Sequence, residues 1–150
     1  MEKSITFKEL SQRWLSVSSL GKTYTYQQNL QSYINHLNNG IGECKVTDVK
    51  PAHIDEIIRQ LYIENPNTKK PTSKKVLKNI VDCATRIFDY AIENELIYKN
   101  PARNKKKVIP QNAPTKIVSA ITPEQQQLVI DTEHRAKIAA VIMMFMGLRT

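Results

Sequence analysis

Apolar side chains recur along this chain at intervals of three and four residues, the period of one helix face. Phe7, Leu10, Trp14 and Leu15 define a first helix over residues 5–17, with Thr6 at the N-cap and Glu9 at capping-box spacing. The stretch SSLGK at 18–22 breaks it. A second helix starts at Thr23 and carries the stripe Tyr26, Leu30, Tyr33, Ile34 and Leu37, until Asn39-Gly40-Ile41-Gly42 ends it with turn chemistry. Pro51 opens a third, over 51–64, through Ile54, Ile57, Ile58, Leu61 and Tyr62. After the loop NPNTKKP, the most regular pattern of all runs from a cap at Thr72 or Ser73 to about residue 95: Val76, Leu77, Ile80, Val81, Ala84, Ile87, Phe88, Ala91 and Ile92.

The rhythm then stops. Residues 102–120 show no apolar period and contain Pro110 and Pro114, which predicts an extended interdomain linker. Thr122 caps a short helix with Pro123 in its first position. Residues 134–147 read as another helix, apolar on nearly every side, which needs burial from every direction. A stretch as short as 121–150 cannot build that environment, so it reads as the opening of a larger domain. No strand pattern competes. The expected fold class is all-α: a four-helix domain over 1–101, a basic linker over 102–120, and two helices of an incomplete second domain over 121–150.

Charge adds a partner. Lys and Arg number 22 against 14 Asp and Glu, a net charge of +8, which favours a polyanion: nucleic acid first, an acidic membrane surface second. Lys69, Lys70, Lys74, Lys75 and Lys78 lie between Glu64 and Asp82 with no acid among them. Cations at a helix N-terminus oppose the macrodipole at a small cost in stability, so phosphate contact explains them better than a merely solvated face does. Lys105, Lys106 and Lys107 concentrate charge in the linker, where phosphate contact and an ordinary flexible linker are both open readings. The second helix adds a polar, nearly uncharged face: Thr25, Gln28, Asn29, Ser32, Asn35 and His36. Amides and hydroxyls there can meet phosphates or base edges, or simply water. His36 reads as a surface residue.

Other chemistry is thinly represented. With four glycines the chain holds no phosphate-loop or dinucleotide-binding string. Cys44 and Cys83 lack the number and spacing for a disulfide framework or a zinc site, and read as reduced thiols. The first residues have no signal-peptide core, and the longest apolar run, Ile138 to Met146, falls far short of the ~20 residues of a membrane span. The expectation is a soluble cytoplasmic protein with no metal, no cofactor and no membrane partner.

Taken in order, several segments resemble the tyrosine recombinases, or phage-type integrases. Phe7, Glu9, Leu10, Trp14 and Leu15 form F-x-E-L-x-x-x-W-L, and Lys22, Thr23 and Tyr26 resemble the family's capped second helix. The run from Lys45 to Pro51 resembles the lead-in to its third helix. Ala91, Ile97, Asn100, Pro101 and Ala102 close the fourth helix as in the family. Ile121-Thr122-Pro123-Glu124-Gln125 is similar to its L-T-x-E-E, and Met146-Gly147-Leu148-Arg149-Thr150 to its T-G-L-R. The likeness covers the whole chain, and integrases of phages and conjugative transposons are the nearest group.

The resemblance implies a SAM-like helical core-binding domain that binds double-stranded DNA at a crossover site, followed by the start of a catalytic domain. It places Lys22, Thr23, Thr25, Gln28, Ser73, Lys74, Lys75, Lys78 and Asn79 toward the major groove and Lys105, Lys106 and Lys107 on the backbone. Thr25, Gln28 and Asn79 are the candidates for base contact. It makes Arg149 the first catalytic arginine, a guanidinium suited to charge on a scissile phosphate; apart from the resemblance, Arg149 is simply a cation at a helix C-terminus. It also implies a full-length parent that cleaves through a 3′-phosphotyrosine without metal or cofactor and acts with other protomers, as a tetramer in the synapse. The family's lysine, His-x-x-Arg pair and nucleophilic tyrosine would follow Arg149, and the six tyrosines precede it, so these residues alone are expected not to cut DNA. The chain reaches its first helix almost at once, so no arm-binding domain is expected before it. A natural non-catalytic DNA-binding regulator and a helical protein-interaction module are the other function classes.

Overall fold

The computed structural model describes residues 5–115 and 119–146, and the chain divides into two compact units after Thr115. In the first unit, α1 spans Phe7–Ser18, α2 Tyr24–Ile41, α3 Pro51–Ile63 and α4 Lys74–Glu93. Short 3₁₀ turns form at Val46–Asp48 and Lys105–Val108. The second unit holds α5, Pro123–Asp131, and α6, Lys137–Met146. No strand forms among the described residues; one isolated antiparallel bridge joins Thr6 to Lys45.

The local chemistry accounts for the helix starts. Thr6 Oγ1 accepts the Glu9 N–H at 3.3 Å and Glu9 Oε2 accepts the Thr6 N–H at 3.0 Å, a reciprocal capping box. Thr23 Oγ1 accepts the Tyr26 N–H at the start of α2. Between α1 and α2 the chain turns through Gly21 at φ +67°, a conformation open to glycine. Helix α2 continues through Gly40 to Ile41, past the turn the sequence predicts there. A Cβ on Gly40 would lie 2.6 Å from Ile57 Cγ1, so the missing side chain lets α2 approach α3.

Helix α4 is the central element and packs on α1, α2 and α3. Its stripe Leu77, Ile80, Val81, Ala84, Ile87, Phe88 and Ala91 is buried throughout. Phe88 meets Phe7 with ring centroids 5.3 Å apart, and burying a side chain of that size stabilises by ~1.5–3 kcal/mol. The expected caps of α4 behave differently. Ser73 holds the N-cap position without a side-chain capping bond. Thr72 is buried and accepts instead from Asn65 Nδ2 at 3.1 Å.

The largest departure from the sequence reading is residues 102–115, expected as an extended linker. They fold onto the first unit. Ala102, Ile109 and Ala113 are buried, and the second 3₁₀ turn packs on α3 and α4. Buried Asn100 fixes the start of this strap: its Oδ1 accepts the Ala102 N–H at 2.8 Å, and its Nδ2 donates to Thr85 O at 2.9 Å and Asp89 Oδ1 at 2.7 Å. Near the strap's other end, Pro114 O accepts the Lys74 N–H at 2.8 Å, satisfying a donor that the first turn of α4 leaves open. The attachment comes from isolated apolar residues and polar clasps, which leave no periodic trace.

In the second unit, Thr122 Oγ1 accepts the Gln125 N–H and Gln125 Oε1 accepts the Thr122 N–H, as the capping residues predict. Helices α5 and α6 pack on each other, yet no residue of either is buried. Ile138, Phe145 and Met146 are 75%, 65% and 68% exposed, so the burial that this apolar helix calls for is not supplied among the described residues. No helix among the described residues is long and apolar enough to cross a membrane.

Candidate nucleic-acid interface

The face of α4 turned away from its core stripe carries Lys75, Lys78, Asp82 and Arg86, spaced three or four residues apart. Lys75, Lys78 and Arg86 are exposed, and none forms an ion pair among the described residues. Farther along the same face stand Asp89 and Glu93, so its charge changes sign from the helix start to its end. An anion lying on α4 therefore finds its attraction between Lys75 and Arg86.

Beside this face, α2 contributes its uncharged polar surface. Between the helices lies a groove of ≈ 250 Å³ lined by Tyr26, Asn29, Leu30, Tyr33, Asn79, Asp82, Cys83 and Arg86. Two cross-helix hydrogen bonds stitch it. Asn79 Nδ2 donates to the Tyr33 hydroxyl at 3.0 Å, and Arg86 Nη1 donates to the Tyr26 hydroxyl at 3.3 Å. Each tyrosine thus buries ring surface and aims a polar tip at an α4 side chain. The Arg86 fork keeps further N–H donors for a ligand. Burial pushes the Cys83 thiol up to about 12, against the opposing pull of Arg86, so the sulfur in this groove is an unreactive thiol.

The sequence-predicted residues separate into distinct environments. Lys22, Thr25 and Gln28 are exposed on or just before the first turns of α2, and Lys22 shares a second groove with Tyr26 and Arg86. Thr23 is exposed, with its hydroxyl engaged as the α2 cap. Ser73, half-buried, begins α4. Lys74 is half-buried and its Nζ donates to Gln111 O at 3.1 Å, while Asn79 is half-buried and held by Tyr33. Lys105 is drawn inward, its side chain 15% exposed, and its Nζ lies 2.7 Å from Asp55 Oδ2. Lys106 pairs with Asp82 on α4. Lys107 is exposed and carries no ion pair among the described residues. Arg149 lies outside the described residues.

Two readings need correction. His36, expected at the surface, is buried, its Nδ1 has no hydrogen-bond partner among the described residues, and burial holds its imidazolium pKa below the ordinary value. The three linker lysines are not one equivalent patch, because two of them face carboxylates from α3 and α4. Sequence reasoning missed Arg86, Asp55 and Asp82. Arg86 carried a usable signal, since it falls eight residues after Lys78 and four after Asp82 on the same helix face. The pairing of Asp55 with a lysine fifty positions away carried none. Asn104, at φ +63°, starts the turn that aims Lys105 and Lys106, and asparagine is among the residues that tolerate that conformation.

The phage integrase central domain family matches residues 7–108, which takes in all four core helices and the second 3₁₀ turn. The chain belongs to the phage integrase (tyrosine recombinase) family. A tyrosine recombinase XerC-like protein of Caldanaerobacter subterraneus subsp. tengcongensis is 24% identical over 155 residues, spanning 98% of this chain and 38% of that protein. The solved structure of the Tn1549 transposon integrase, in complex with circular intermediate DNA, aligns with a TM-score of 0.76 at 20% identity, over 97% of this chain and 47% of that one. That likeness shows a shared helical fold. The chain spans less than half the length of either relative.

Proposed function

We propose that this integrase-family chain is the DNA-binding portion of a site-specific recombinase, holding double-stranded DNA at the crossover site during integration or excision. The observation that carries the reading is the α4 face: Lys75, Lys78 and Arg86 stand exposed, without ion-pair partners among the described residues, beside the uncharged polar surface of α2. Unpaired cations beside neutral donors suit a duplex, whose phosphates supply affinity and whose groove edges supply choice. The structural neighbour was solved with circular intermediate DNA, which supports the same ligand class for this chain. In this reading Lys75, Lys78 and Lys107 contact phosphates. Thr25, Gln28 and Arg86 face the groove, and Asn79 supports them from its bond to Tyr33.

In the parent protein, other recombinase protomers on the same DNA are the expected partners, and Arg149 is the residue proposed to stabilise charge on the scissile phosphate. Strand exchange there would pass through a protein–DNA ester that conserves bond energy, so rejoining would need no nucleotide cofactor.

Fluorescence anisotropy with duplex DNA across a salt series tests this. Log affinity should fall with log salt at about −0.9 per phosphate contact. The variant with Lys75, Lys78 and Arg86 all changed to alanine should lose about two units of that slope, from the two lysine–phosphate contacts. Absence of binding at low salt, or an unchanged slope in the variant, would overturn the proposal in favour of a protein-interaction module.

A further inference from the structure

The two carboxylate–lysine pairs that pin residues 102–115 differ in kind. Lys105 is largely buried, and its carboxylate, Asp55, belongs to α3 rather than to the α4 stripe. Lys106 is half-exposed and so is its carboxylate, Asp82. Asp82 sits within the α4 stripe itself, in the groove beside Arg86 and Asn79. It is the one acidic residue of α4 that interrupts the exposed cations between Lys75 and Arg86.

Position makes this pairing informative. Lys78 and Arg86 stand four residues before and four after Asp82, spacings at which a helix commonly forms ion pairs. Neither pairs with it; the carboxylate is turned to Lys106 across the strap, and Arg86 is held by the Tyr26 hydroxyl. A duplex laid on the stripe would bring phosphates to a site where a carboxylate already neutralises a lysine. A phosphate is an equivalent partner for an ammonium, and an exposed ion pair holds only weakly against such an exchange.

We infer that Asp82 is an intramolecular stand-in for a DNA phosphate: in free protein it holds Lys106, and on DNA binding Lys106 exchanges Asp82 for a backbone phosphate while Lys105 stays fixed on Asp55. This rests on the DNA-binding reading above and adds an internal competitor to it. The exchange transfers no proton and breaks no covalent bond. It leaves the strap anchored by Lys105 and Asn100, so the lysine moves and the fold does not. Asp82 thereby lowers affinity for every duplex alike, because it competes for a backbone contact and reads no base.

A double-variant cycle on the 150-residue chain tests the exchange, using a random-sequence duplex, anisotropy at several salt concentrations and thermal melts of each protein. Asp82→Asn keeps the side-chain size and should tighten binding about three- to five-fold, the range of a released exposed pair. Lys106→Gln should weaken binding and lower the salt slope by about 0.9. The decisive comparison is Asp82→Asn in the Lys106→Gln background, where the gain should shrink to less than about two-fold, because the competitor then has nothing to release. An equal gain in both backgrounds would show that Asp82 acts only as a diffuse repulsive charge, and would overturn the exchange. No gain from Asp82→Asn, or no slope change from Lys106→Gln, would show a pair that stays closed on DNA and overturns it too. Absence of wild-type binding is the separate failure that removes the DNA-binding reading and this inference with it.

Discussion

Two groups of three lysines, 74/75/78 and 105/106/107, look alike in the sequence and behave differently in the fold. In the first group, Lys75 and Lys78 project from the start of α4 with no carboxylate partner among the described residues, and Lys74 spends its ammonium on a carbonyl. In the second, Lys105 and Lys106 meet Asp55 and Asp82, and Lys107 alone has no ion pair among the described residues. A basic run announces a polyanion site only if distant carboxylates leave it alone. A free lysine in the first turn of α4 opposes the helix dipole, and in the proposed reading the free α4 lysines contribute affinity; paired lysines on the strap contribute attachment.

That contrast breaks first if the strap is loosened. Replacing Asn100 by alanine removes hydrogen bonds to Thr85, Asp89 and Ala102 inside a buried corner. It should destabilise the first unit by roughly 2–3 kcal/mol, read as a lower urea midpoint. A midpoint within experimental scatter of wild type would mean that the strap is not an integral part of that unit. Asp55→Ala is the next step down. It leaves Lys105 largely buried without its counter-ion, but Asp55 is itself partly exposed, so the cost should be about 1–2 kcal/mol, below that of a fully buried pair. DNA affinity should stay unchanged in this variant, because Lys105 is largely buried and is not among the proposed phosphate contacts; a clear gain of affinity, from a lysine released to phosphate, would move Lys105 into the interface.

A smaller effect separates the two sides of α2. Burial favours neutral His36 in the fold and lowers its pKa from about 6.5. Below that pH the unfolded chain takes up the proton first, so its contribution is complete above pH ~6.5 and is lost as pH falls toward the folded-state value. Stability measured from pH 7.5 to 5 should therefore decline more in wild type than in His36→Gln. Parallel curves would return His36 to the solvated face, beside Asn35.

The helices were legible because a buried stripe repeats. Phe7 to Leu15, Tyr26 to Leu37 and Val76 to Ile92 each announce an α-helix by period, and Thr6, Thr23 and Thr122 mark starts that the hydrogen bonds bear out. The strap was illegible because Ala102, Ile109 and Ala113 are buried singly, with Pro110 among them and Pro114 just after, and the order comes from Asn100 and two long-range ion pairs. His36 was misread for a related reason. It sits next to the apolar stripe of α2, and the width of a buried stripe depends on what packs over it, here including the close approach of α3 at Gly40. In the candidate interface the exposed bases of α4 followed from charge spacing. Their division into free and paired residues required the fold.

The finest test of the contrast sits on Lys75 alone, in the first turn of α4. A cation there faces the positive end of the helix dipole, and glutamate at that position interacts favourably with it. No ion pair among the described residues is lost on removing this lysine, so Lys75→Glu should stabilise the first unit by about 0.3–1 kcal/mol. The same change should weaken DNA binding, since one phosphate contact disappears and a repulsive charge takes its place. The opposite change on the strap, Lys106→Glu, sets a carboxylate against Asp82 and should lower stability slightly while also weakening binding. Opposite signs in stability with the same sign in affinity would show that the fold retains Lys75 at a cost, for a ligand, whereas Lys106 also serves attachment. Loss of stability in Lys75→Glu would mean that this lysine has a structural partner in solution, and the difference between the two groups would shrink to one of exposure.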